Sequence, residues 1–366
     1  MKRNILLNPG PATTTDTVKK ALVVPDICPR EKEFVLIMAE LRKKLLNIVH
    51  ADPNKFTSVL FCGSGTINMD IIVNSLVDEG KKILILNNGA YSNRAVTIAK
   101  YYGIDFVELK YKYDEEINLK DVEDKLKSDD KISLVYTTHH ETGTGFLNDI
   151  KQIGELVHRY DRSFAVDTTS SLAMLPINIE EYNVDFCMAS AQKGIMAMSG
   201  LSFIIGKKDL IEKSKGYKTR SYYCNLYRQY ANFEKTGEME FTPPVQIVYS
   251  ALKALEEYFE EGEINKYKRH MACADELHKI LAENGYEELI NREHQSGLVI
   301  AIKYHNNKNW SFDSLHDYCY ERGYTIYPGK VGEVGTFRLC TLGAIFPSDI
   351  RAFGKVLHKY HSTLEN

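Results

Sequence analysis

Up to residue 205, short apolar runs alternate with longer stretches whose apolar residues recur at helical spacing. The runs at 57–61, 82–86, 105–109, 132–136, 163–167, 186–189 and 201–205 predict strands. The stretches at 67–76, 92–102, 119–126 and 150–160 predict helices, and an earlier one at 33–49 puts Phe34, Met38, Leu41 and Leu45 on one face. Such alternation predicts an α/β domain with a mostly parallel sheet sandwiched by helices. Beyond 205 the pattern breaks. Residues 207–235, rich in Lys, Tyr and Arg, read as a solvated loop, and Thr242-Pro-Pro244 is a stiff turn. Helices follow at 245–261 and 264–284, the second linking two domains. Then come a strand (297–302), a helix (311–322), strands (324–327 and 336–340) and a helix (347–360), a compact α+β unit. The expectation is a large domain over 12–262 and a smaller C-terminal domain over 263–366, with residues 1–11 packed near the latter.

Polar turns fall at the C-terminal ends of the predicted strands, where open α/β sheets bind ligands. Cys62-Gly-Ser-Gly-Thr66 joins a strand to a helix, which points free backbone N–H groups at a phosphate. It lacks the third glycine of the dinucleotide fingerprint and the Gly-Lys-Ser/Thr of a nucleotide loop. Tyr91, after Asn87-Asn-Gly-Ala, is either a ring-stacking residue or a half-buried core tyrosine. Asp167 closes the apolar strand at 163–167, and Lys193, in Ser190-Ala-Gln-Lys-Gly194, follows the strand at 186–189. A lysine at the end of a buried strand is costly unless it is paired or chemically used. A lysine that bonds an aldehyde and an acid that keeps a pyridine nitrogen protonated are how pyridoxal 5'-phosphate (PLP) is held. Lys193 and Asp167 are therefore the candidate catalytic pair. Thr142, in His139-His-Glu-Thr-Gly-Thr-Gly145, and Thr169, in Thr168-Thr-Ser-Ser171, join the cofactor-binding candidates on the same edge. His139, His140 and Glu141 invite a metal, but adjacent side chains on an extended segment face opposite ways, so no metal site is expected. Arg338, mid-strand in Thr336-Phe-Arg-Leu-Cys340, should face a polar cleft or pair with a carboxylate. Asn8-Pro-Gly-Pro11 reads as a rigid entry turn.

Composition narrows the class. The chain has 366 residues, 44% hydrophobic and 26% charged, the balance of a globular enzyme of two domains. A net charge of -3 implies no polycationic face for nucleic acid. Seven scattered cysteines without a Cys-x-x-Cys argue for reduced thiols and a cytoplasmic location. The apolar run in residues 1–8 is too short for a signal peptide, and no run approaches the ~18 residues of a membrane span.

Together the motifs resemble the class V aminotransferases, a branch of the fold-type-I PLP enzymes. Within that family they look most like the transaminases acting on 2-aminoethylphosphonate and pyruvate. The resemblance runs through Leu6-Leu-Asn-Pro-Gly-Pro11, Gly63-Ser-Gly-Thr66, Asn88-Gly-Ala-Tyr91 and Glu141-Thr-Gly-Thr-Gly145. It continues through Val166-Asp167, Ser170-Ser171, Ser190-Ala-Gln-Lys193, Phe241-Thr-Pro-Pro244, Ile326-Tyr-Pro-Gly-Lys330 and Phe337-Arg338. It implies that Lys193 carries the cofactor and shuttles a proton, that Asp167 binds the pyridinium, and that Tyr91 stacks on the ring. Ser64, Gly65, Thr66 and Gln192 would hold the phosphate. Thr242 would complete that cradle from a second subunit, which implies a homodimer with its active site at the interface. Arg338 would hold the anion of the amino donor and of the keto acid. Apart from the resemblance, a phosphonate can be dianionic and offers a third oxygen, so a further donor is expected, and Arg220, in the basic stretch 215–223, is the candidate. The implied reaction converts 2-aminoethylphosphonate and pyruvate to phosphonoacetaldehyde and alanine. The chain departs from the branch at Gly143, at Gln192 and in Leu339-Cys-Thr-Leu-Gly343. Alanine- or serine-dependent transamination of glyoxylate or pyruvate stays open. So does cysteine desulfuration, although desulfurases usually carry histidines where Tyr91 and Gln192 stand.

Overall fold

A computed structural model of the chain describes residues 4–218 and 220–364. Met1 to Arg3, Thr219 within the stretch 215–223, Glu365, Asn366 and the Lys330 side chain lie outside the described residues. Seven strands form the central sheet: β1 (Phe56–Gly63), β2 (Lys82–Asn87), β3 (Phe106–Lys110), β4 (Ile132–Thr138), β5 (Ser163–Asp167), β6 (Phe186–Ser190) and β7 (Gly200–Lys207). Their order across the sheet is β1-β7-β6-β5-β4-β2-β3. Neighbours pair in parallel except at β7, which is antiparallel to both β1 and β6. The turn between β6 and β7 is too short for the crossover a parallel neighbour needs, so β7 reverses. Helices Gly65–Ser75, Ala90–Tyr102, Leu119–Ser128 and Ile150–Arg159 supply the crossovers. They cover the sheet so fully that Leu84, Ile85, Val135, Phe164, Val166 and Ile204 are inaccessible to solvent. This double cover explains why the strands read as continuous apolar runs rather than alternating ones.

In register, Thr138 lies opposite Asp167 and Asp167 opposite Met188, so β4 and β5 end level and β6 runs two residues further, to Ser190. That common edge carries the polar turns.

Residues 207–235 are not a loop. They hold the helices Lys208–Lys213 and Leu226–Thr236. The second buries Leu226, Gln229, Tyr230 and Phe233, with Asn225 accepting from the Arg228 N–H at its start. The stripe is apolar only on its inner face, and the charged outer face hid it in the sequence.

A second core gathers around the three-stranded antiparallel sheet of Val299–Lys303, Val334–Cys340 and Tyr327–Val331. Pro328 sits in its edge strand, where a missing N–H costs no ladder bond. The helices Glu263–Glu283 and Pro347–Leu364 pack beside it. Residues 324–327, expected as one strand, divide between two sheets. Tyr324–Thr325 pairs in parallel with Ile5–Leu6, whereas Tyr327 begins the edge strand. Ile5 and Leu7 are buried in this second core.

Candidate active site

The C-terminal ends of β4, β5 and β6, together with the turn after β1, enclose a cavity of about 230 Å³. Its wall includes Ser64, Gly65 and Thr66 on one side, Tyr91 and Arg94 on another, and Asp167, Thr169, Gln192 and Lys193 below. Thr142 and His140 contribute from the loop after β4. Nine of the sequence candidates thus share one cavity: Ser64, Gly65, Thr66, Tyr91, Thr142, Asp167, Thr169, Gln192 and Lys193.

Lys193 sits in the turn between β6 and β7, mostly buried, with its amine donating to the Pro9 carbonyl. Burial pulls its pKa down, only partly offset by Cys340 and Asp167. A lowered pKa raises the fraction of neutral, nucleophilic amine. Gly10 has φ +136°, and a Cβ there would run into the Lys193 side chain, so this position needs glycine on both counts. The entry turn Asn8-Pro-Gly-Pro11 is therefore part of the site, since Gly10 and Pro11 line the cavity.

Asp167 is 4% exposed and accepts the Thr169 N–H at 2.8 Å. Burial pushes its pKa up against the pull of that bond and of Arg94 and Lys193. A cationic N–H placed against it would keep it ionised, because opposite charge favours the charged form.

The helix Gly65–Ser75 starts at Ser64 without a side-chain cap, which leaves its first N–H groups aimed at the cavity. Gln192, 8% exposed, has an amide oxygen with no hydrogen-bond partner among the described residues. A buried Cβ on Gly65 would lie 2.8 Å from the Thr169 side chain, so the cradle is closely fitted around that backbone. An uncapped helix start suits a bound phosphate, while Lys193 and Asp167 suit an aldehyde and a pyridinium. The residues present fit PLP.

The histidines go elsewhere. His139 Nδ1 bonds Ser171 Oγ and His140 Nδ1 bonds Ser170 Oγ, each at 2.9 Å. Burial lowers them to about 4 and about 3, so both are neutral. Ser170 also accepts from the Thr142 hydroxyl at 3.0 Å, which ties the loop after β4 to the turn after β5.

Arg338 stands beside the cavity rather than in its wall. Its guanidinium donates to the Thr142 carbonyl at 3.3 Å and the Pro328 carbonyl at 3.1 Å, and lies 5.0 Å from the Tyr327 ring centroid. Its Nε is buried without a partner, and no carboxylate pairs with it among the described residues. Arg220 and Thr242 do not reach this cavity within one chain. Arg220 donates to the Asn74 and Val77 carbonyls at 3.0 and 2.8 Å, satisfying the C-terminal end of helix Gly65–Ser75. That end is about 16 Å from the phosphate end of the same helix. Thr242 is exposed, and its carbonyl accepts from the Cys62 thiol at 3.4 Å.

Arg94 is the residue that sequence reasoning missed. It stands one turn after Tyr91, 4.9 Å from that ring's centroid, and donates to Thr66 Oγ1 at 2.9 Å. In the sequence it is one arginine on a helix with polar neighbours, without any motif to single it out.

A mostly parallel α/β sheet with a buried lysine and carboxylate at its C-terminal edge defines a PLP transferase of fold type I. The chain belongs to the class V aminotransferases: the model of that family, described as aminotransferase class-V, matches residues 17–329. A 2-aminoethylphosphonate–pyruvate transaminase of Lysinibacillus sphaericus is 36% identical over 97% of this chain and 96% of its own. A bifunctional phosphonoacetaldehyde hydrolase/aminoethylphosphonate transaminase of Clostridioides difficile is 34% identical over 97% of this chain, which spans 56% of that longer protein. Among solved structures, an alanine–glyoxylate aminotransferase of Nostoc sp. superposes with TM-score 0.90 at 22% identity, covering 98% of this chain and 96% of its own. Family members use PLP.

Proposed function

We propose that this chain moves the amino group of 2-aminoethylphosphonate to pyruvate, giving phosphonoacetaldehyde and alanine. The observation that carries the reading is the near full-length match to a transaminase named for that reaction. The cavity supports it, because both partners have an anion at one end and the reacting carbon at the other.

PLP, when bound, supplies an electron-withdrawing ring that acidifies the C–H bond beside the donor nitrogen. Lys193 Nζ holds the cofactor and then carries that proton. Asp167 keeps a positive charge on the ring nitrogen. Tyr91 covers one ring face. Ser64, Gly65, Thr66 and Gln192 hold the phosphate, with Thr142 and Thr169 supplying hydroxyls at the cofactor. Arg338 takes the substrate anion, since its planar fork binds two oxygens of a carboxylate or a phosphonate.

The same reading takes the protein as a cytoplasmic homodimer in which Thr242 completes the partner's phosphate cradle. The seven cysteines, all free, support the compartment. Exposed Tyr222 and Tyr223, with Tyr223 stacked 4.7 Å from Phe241 beside Thr242, support a contact surface there. No helix among the described residues is long and apolar enough to cross a membrane.

A single-turnover screen tests the reaction. PLP-loaded protein is mixed in turn with 2-aminoethylphosphonate, alanine, serine and cysteine, and its visible absorption is followed. The fastest loss is expected with 2-aminoethylphosphonate. Faster loss with alanine or serine would reassign the donor, and sulfide released from cysteine would reassign the reaction.

A further inference from the structure

We propose that Arg94 reads the phosphate end of the cofactor, by its own charge and through Thr66, so that the protein selects the phosphorylated aldehyde over the unphosphorylated one. The inference rests on the proposed function only in taking PLP as the ligand.

Three observations place Arg94 there. It lines the same cavity as Ser64, Gly65 and Thr66. Its guanidinium donates to Thr66 Oγ1 at 2.9 Å. Its carbon centre lies 4.9 Å from the Tyr91 ring centroid, a cation–aromatic contact that orients the side chain along the cavity wall. A hydroxyl that accepts from a guanidinium has its own proton free to point elsewhere. Thr66 is therefore set as a donor toward the cavity, next to the uncapped N–H groups of helix Gly65–Ser75.

Charge points the same way. A phosphate monoester carries up to two negative charges near neutral pH. Ser64, Thr66 and Gln192 offer only neutral donors, and the helix start offers a partial charge. Lys193, the other cation of the wall, is committed to the aldehyde end. Arg94 is the wall's remaining full positive charge, and no carboxylate pairs with it among the described residues. Free N–H groups beyond the one given to Thr66 are left for an anion.

The test is equilibrium uptake of pyridoxal 5'-phosphate and of pyridoxal by cofactor-free protein, for the parent, Arg94→Gln and Arg94→Lys. Arg94→Gln should weaken PLP binding about tenfold or more, the usual effect of losing a charge-assisted hydrogen bond, and leave pyridoxal within about twofold. Arg94→Lys should recover part of the PLP affinity, since it keeps the charge and loses the fork. Equal weakening of both ligands, or no weakening of either, overturns the assignment even if the protein remains a transaminase. Parent protein that binds PLP and prefers another amino donor overturns the substrate reading and leaves this one standing. Thermal unfolding of the cofactor-free variants checks that folding is unchanged. If Arg94→Gln does not fold, Arg94→Lys decides, and PLP binding as tight as the parent's would count against the proposal.

Discussion

Glu141 and Ser92 are joined by two hydrogen bonds: the Glu141 carboxylate accepts the Ser92 N–H at 2.7 Å and the Ser92 hydroxyl at 2.6 Å. Its other oxygen accepts the Tyr91 N–H at 3.1 Å. A carboxylate from the loop after β4 thus caps the helix that presents Tyr91 and Arg94 to the cavity. Burial pushes the Glu141 pKa up, and these bonds oppose it. Glu141→Ala strands buried donors and should cost on the order of 2–4 kcal/mol in urea unfolding, with Glu141→Gln costing less. PLP affinity should fall in the same order. Equal stability of Glu141→Ala and parent would show that the cap does not hold this helix.

Lys193→Ala should fold, because a side chain lining a cavity contributes little core. Transamination should fall by several orders of magnitude with loss of the covalent group and its proton relay. Substantial turnover by the purified variant would remove Lys193 from that role.

Asp167→Asn keeps the shape and loses the charge. The transamination rate should drop on the order of 100-fold or more, while PLP content changes far less. Parallel loss of rate and cofactor would make Asp167 a binding residue only.

Lys266 gives a pH prediction. It is 1% exposed, donates to the carbonyl of Gly194, next to Lys193, at 2.6 Å, and lies 5.0 Å from the Tyr258 ring centroid. Burial, with Arg269 adding repulsion, lowers it to about 7 against the attraction of Glu261 and Glu257. The unfolded value is about 10.4. Between the two, the unfolded chain binds the extra proton, so this group makes stability rise with pH from about 7 to about 10. Lys266→Met should lack that rise. Urea midpoints at the two ends of the window should show the parent gaining on the variant as pH increases. A constant gap would place the folded pKa near the unfolded one.

The central sheet was legible because helices on both faces make its inner strands apolar over most of their length. β5 was read residue for residue at Ser163–Asp167. The helix Leu226–Thr236 was not legible, since its outer face is charged and only Leu226, Gln229, Tyr230 and Phe233 turn inward. The site candidates on strand ends were legible because turn chemistry marks them. Arg94 was not, because its meaning comes from Thr66, a neighbour in space across two helices. Arg220 was drawn to the site by its basic surroundings, but its donors are used by the Asn74 and Val77 carbonyls.

The most direct measurement is steady-state product analysis with 2-aminoethylphosphonate and pyruvate, run beside alanine and serine as donors and Lys193→Ala as control. Alanine and phosphonoacetaldehyde are expected in equal amounts, with kcat/KM highest for 2-aminoethylphosphonate and no product from the variant. A higher kcat/KM for alanine or serine, with no phosphonoacetaldehyde formed, would contradict the proposed function.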